Sequence, residues 1–265
     1  MVIENNFSKA KETPISETQG INEAELLSEK RYKKIGETFA MIITQISSLS
    51  VPEKTIEEWK ILSSSTRIID NKLDGINNPI ERLKFSQKII SFLRGNADDF
   101  SEEKDLERSI MGIKNIIAGL EENQRDSFID SLSNILKITE KIKTEENPKK
   151  IAELTRVEGQ IAARFYLFFL PREFKLSENY KKLLHAFTRL GRAANSFDSF
   201  VDLPEDYKNK EVQIPPTILN RTLFLGSVLS DGLSMMKDIG LSKDLIKRFL
   251  LAIKHVTLDA PKKLK

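Results

Sequence analysis

The chain has 265 residues, with 42 Lys plus Arg against 39 Asp plus Glu, 11 glycines, 9 prolines and no cysteine. That length suits one large domain or two small ones, and a formal charge of +3 is too even to point to nucleic acid. The lack of cysteine excludes a disulfide framework, a thiolate zinc site and a cysteine nucleophile, and two lone histidines, His185 and His255, cannot build a histidine cluster. Any metal would be a hard cation held by carboxylates.

Residues 1–20 are polar and read as a mobile tail, 21–256 as one helical domain, and 257–265 as a basic tail. No apolar run reaches the roughly 18 to 20 residues of a spanning helix, and the N-terminal segment lacks the apolar middle of a signal peptide, so a soluble, cytoplasmic protein is expected. Lys262, Lys263 and Lys265 in the basic tail predict peripheral contact with an anionic membrane surface.

Between the tails, apolar residues recur at helical spacing, which predicts an all-α fold with helices over 22–48, 53–74, 79–94, 102–119, 123–143, 148–170, 177–203, 215–237 and 242–256. Asn78 is placed to cap the third, with Pro79 at its first position and Glu81 in its first turn. Pro204 is expected to bend or end the seventh.

Two acidic patterns have spacings that fit their helices. Asp70 and Asp74, with Arg67 three residues before, share one face of the second helix. Asp198, Asp202 and Asp206 form a stripe of like charge on the seventh, provided that Pro204 does not rotate Asp206 away. Acidic pairs at this interval commonly lie on solvated faces. Here Ile68, Ile69 and Leu73 flank the first pattern, and Phe197, Phe200, Val201 and Leu203 the second, so each stripe has the setting of an internal cleft.

The segment LGRAANSFDSFVDLPEDYKNKEVQIP resembles the second aspartate-rich region of the squalene and phytoene synthase family. RIIDNKLDG resembles the family's first motif, and TRVEGQIA its central helix, in the family's order. The resemblance implies an isoprenoid synthase-type helical bundle around a central cavity, with two aspartate motifs binding a polyprenyl diphosphate through Mg²⁺. By that resemblance Asp70, Asp74, Asp198, Asp202 and Asp206 are the metal-binding and catalytic set, and Arg67 contacts diphosphate. Phe39 and Phe197 would touch the prenyl chain, and Lys208 and Lys210 would stand in for family cations that this chain lacks. Phe165, Tyr166, Phe168, Phe169 and Phe200 would help to wall the cavity.

The chain departs from the family at Glu37, Ser63, Val201 and Glu211, where residues that serve the second diphosphate or steer head-to-head coupling are usual. The expected activity is therefore Mg²⁺-dependent ionisation of one farnesyl or geranylgeranyl diphosphate, with cyclisation or rearrangement of the carbocation. Head-to-head condensation of two prenyl diphosphates is the alternative within the family, and a non-catalytic helical assembly protein the alternative outside it. A hydrolase using carboxylate-bound magnesium fits less well, since neither histidine lies beside an acidic pair.

Overall fold

Two helix starts are made by an Asn-Pro pair. Asn78 accepts the backbone N–H of Ile80 at 2.9 Å, and Asn147 accepts those of Lys149 and Lys150, with the following proline at a position whose missing N–H has no helical partner to lose. The computed structural model describes residues 23–97 and 99–239, and among them there are nine helices and no strand. They are α1 (Glu23–Ser47), α2 (Glu53–Asp74), α3 (Pro79–Leu93), α4 (Lys104–Ala118), α5 (Glu122–Thr144), α6 (Pro148–Phe168), α7 (Arg172–Leu176), α8 (Tyr180–Lys208) and α9 (Ile218–Ile239). The expected tails, the helix over 242–256 and His255 lie outside the described residues. Among the described residues no helix is long and apolar enough to cross a membrane.

Most helix boundaries shift from the sequence reading by one to three residues, as at the start of α9, which is Ile218 rather than residue 215, and the largest change is at the end of α8. The helix predicted over 148–170 ends at Phe168, and the short α7 follows Pro171, whose ring sets an extended entry. The next helix starts at Tyr180 rather than at residue 177, and it runs through Pro204 to Lys208 instead of stopping at 203. Proline removes the hydrogen bond to the carbonyl four residues earlier, here that of Phe200. Arg221 on α9 supplies the substitute: its Nε donates to the Phe200 oxygen at 3.1 Å, and its guanidinium lies 4.5 Å from the centre of the Phe200 ring.

The larger core joins α1 to α7 and the start of α8, and Trp59 within it is fully buried. The Trp59 indole N–H donates to the Tyr166 carbonyl at 2.7 Å, binding α2 to α6. Phe39 meets Trp59, Tyr166 and Phe187 edge to face. Phe165, Phe168 and Phe169 gather around Phe128, so part of the aromatic run expected to wall a cavity is ordinary core. A second cluster of Ile151, Phe200, Leu203, Val212, Ile214 and Phe224 pins the segment after α8 beneath α8 and α9.

α6 packs most extensively on α8, and α8 on α9, with α2 held by α1 and α4. This arrangement carries the C-terminal ends of α2, α5 and α8 to the end of the bundle where α6 begins, because Lys143 near the end of α5 bonds to Asp74 and its carbonyl receives Gln213.

Candidate functional site

The two acidic stripes reach a common site. Asp70 and Asp74 occupy the last turns of α2, and Asp198, Asp202 and Asp206 the second half of α8. Asp206 is pushed up to about 7 by burial first, then by the charges of Glu211, Asp202, Asp74 and Asp198. Asp70 is raised to about 6 by burial and then by Asp74, with Arg67 opposing the rise and Glu158 adding to it. Partial burial and the neighbouring Asp198 and Glu205 also raise Asp202, while Arg67 draws it down. Charges on α2 and α8 therefore act on one another, and Arg67 acts on both motifs.

The continuity of α8 through Pro204 is what keeps Asp206 on the stripe. Arg67 lies 3.5 Å from Asp70 and is largely exposed, so the pair is loose. Asp74 is held far more firmly, at 2.5 Å from the Lys143 ammonium, whose side chain is 9% exposed.

Glu158, Lys143 and Glu211 join this site without having been selected from the sequence. Glu158 sits one residue before Gly159 within the block TRVEGQIA, and burial raises its carboxyl against the opposing hydrogen bonds from Thr139 and Asn195. The Asn195 amide donates to Glu158 Oε2 at 3.0 Å and to the Thr155 carbonyl at 2.8 Å. The Thr139 hydroxyl has one proton and faces two oxygens, Glu158 Oε1 and the Ile135 carbonyl. A protonated Glu158 can donate to Thr139 while Thr139 donates to Ile135; an ionised Glu158 accepts the hydrogen bond of the Thr139 hydroxyl, which then no longer serves Ile135.

Other expected residues divide. Lys210 lines a cleft of about 600 Å³ together with Asp74, Arg82, Lys143 and Glu211, whereas Lys208 is exposed in the last turn of α8. Phe39 belongs to the aromatic cluster about Trp59, and Phe197 is half-buried on α8. His185 is exposed.

Among the described residues no three or more His, Asp or Glu side chains stand close enough to hold a metal ion as they are placed. The donor chemistry nevertheless fits a hard cation. The site offers carboxylate oxygens from α2 and α8; Arg67 draws down Asp70 and Asp202 and Lys143 draws down Asp70, without cancelling the rise that burial and the neighbouring acids cause. No family model matches the chain, and neither a curated protein nor a solved structure matches it.

Proposed function

We propose that this protein is a Mg²⁺-dependent enzyme that ionises a farnesyl or geranylgeranyl diphosphate and cyclises or rearranges the carbocation, on an isoprenoid synthase-type bundle. One observation carries the reading: the carboxyls of Asp70 and Asp74 and those of Asp198, Asp202 and Asp206, more than 120 residues apart along the chain, share one electrostatic site. These five would hold Mg²⁺, which neutralises a leaving diphosphate when bound. Arg67 and Lys210 would take diphosphate oxygens, and Phe39 would contribute π-surface toward the prenyl chain. Condensation of two substrates needs cationic partners for two diphosphates, and the exposed Val201 and the acidic Glu211 supply none.

The closely packed rings about Trp59 favour a second reading, a non-catalytic helical assembly protein whose centre is filled. Incubation with Mg²⁺ and geranyl, farnesyl or geranylgeranyl diphosphate separately, with mass spectrometry of hexane extracts, separates the readings. The proposal expects a monomeric cyclic or rearranged hydrocarbon or alcohol, lost in Asp70→Asn and Asp202→Asn. A C30 or C40 product selects condensation, and no product from any substrate selects the assembly protein.

A further inference from the structure

Between Ile218 and Leu233, α9 carries two ionisable side chains, Arg221 and Asp231. Both are turned into the fold: Arg221 donates to the Phe200 carbonyl, and Asp231, which is buried, pairs with Arg156 on α6. The face that α9 leaves to solvent is therefore without charge over about four turns. Leu219, Thr222, Gly226, Ser230 and Leu233 are exposed along it, Leu219 by 73% and Leu233 by 40%, with Leu223 and Leu229 half-buried at its edges. A surface helix ordinarily turns charged residues to water, so this face has the character of a covered one. The Thr222 hydroxyl already donates to the Leu219 carbonyl, and covering it leaves that donor satisfied.

Gly226 has no partner in the fold that requires it. A Cβ there would meet nothing within 4 Å, whereas Gly159 and Gly191 are each demanded by the backbone of the other. Glycine inside a helix is less stable than alanine, and what it permits at an open face is the close approach of a second backbone.

The face is symmetric about this glycine. Thr222 and Ser230 stand four residues to either side of it, and Leu219 and Leu233 seven. Two copies of α9 laid antiparallel, with a two-fold axis at Gly226, bring Leu219 opposite Leu233 of the partner subunit and Thr222 opposite Ser230 of the partner subunit. A two-fold contact of this kind needs one patch that complements itself, and a charge at the axis would meet its own like. Lys237, the next charge along the face, stands eleven residues from Gly226 and falls opposite position 215, before the partner's α9 begins.

We propose that this face of α9 is the interface of a homodimer in which two copies meet antiparallel at Gly226. From Leu219 to Leu233 the contact is about 21 Å long and one helix wide. That is less than the roughly 800 Å² per partner of a standard interface, so the dimer is reversible, with a dissociation constant on the order of micromolar. It forms whether or not the protein ionises a prenyl diphosphate.

Sedimentation velocity of the full chain, from about 1 to about 300 µM, tests this. Leu219→Lys and Leu233→Glu should each weaken the dimer about tenfold or more, since each puts an unpaired charge in the contact. The double variant sets each lysine against a glutamate across the axis and should recover most of the affinity. These positions are exposed, so the variants keep the fold. The chain has no cysteine, so Gly226→Cys can form a disulfide only between copies, and at the axis its thiol faces its own counterpart. Mild oxidation should link G226C into a covalent dimer and leave Met41→Cys, at an exposed position on α1, unlinked. A chain that is monomeric throughout overturns the proposal, as does a dimer that neither single variant weakens or that the double variant fails to restore. In the monomeric outcome, slow reaction of G226C with a thiol reagent assigns the face to another segment of this chain, and fast reaction shows it bare.

Discussion

Gly159 on α6 and Gly191 on α8 touch backbone to backbone. A Cβ on Gly159 would lie 2.5 Å from that of Asn195 and on top of the Gly191 carbonyl, and a Cβ on Gly191 would collide with the Gly159 carbonyl and with Ala163 in the same way. The helices approach this closely only because neither residue has a side chain. Glu158 and Asn195, which bond across the same crossing, owe their separation to it.

Gly159→Ala should therefore push α6 from α8 and destabilise the fold by about 3 kcal/mol, at the upper end of overpacking costs, because the obstructing atoms are backbone. Urea denaturation checks it. An alanine variant as stable as wild type would mean that the crossing is looser than described.

Arg221 carries the burden created by Pro204. Arg221→Ala leaves the Phe200 carbonyl without its donor and removes a guanidinium from the ring face, a loss of about 1 to 3 kcal/mol. Hydrogen exchange should rise selectively in the last two turns of α8, which hold Asp202 and Asp206. Uniform exchange across α8 would contradict this role.

Lys210→Gly relieves the left-handed backbone and should raise stability by about 1 kcal/mol. The same change removes an ammonium from the cleft and should weaken diphosphate binding. Opposite signs in the melting temperature and in the affinity for inorganic diphosphate measured by calorimetry are the expected pair, and loss of both together would mean that the lysine is structural.

Asp206 has an ordinary value of 3.8 and is raised to about 7 in the fold, so the folded protein binds protons more readily than the unfolded chain between these values. Its favourable share of stability is complete below about pH 4 and is lost as pH rises through 7. Asp206→Asn should accordingly stabilise the protein by about 1 kcal/mol at pH 8, after allowance for solvent screening, and by much less at pH 5. Glu158→Gln should act with the same sign, since an amide can accept from Asn195 and donate to Thr139 while removing a buried charge. Urea midpoints at the two pH values measure both. Millimolar Mg²⁺ should restore the wild-type loss at pH 8 and do less for D206N; no response in wild type would remove Mg²⁺ from the site.

Much of the local structure was legible in the residues. Asn78 and Pro79 start α3 as local capping chemistry requires, and four-residue spacing puts Asp198, Asp202 and Asp206 on one stripe because the helical period does so wherever the helix stands. Pro204 misled for an equally local reason: its effect on α8 depends on Arg221, which reaches the freed carbonyl only after α9 folds back.

The sequence by itself determined an all-helical chain and the face on which each acid lies, since both follow from intervals of three and four residues. Tertiary structure alone decided which faces meet. Lys143 reaches Asp74 across 69 residues, and Glu158 enters the acidic site because two glycines let α6 and α8 close together. Periodicity encodes the direction of a side chain on its own helix, whereas the partner it finds depends on how separate helices pack.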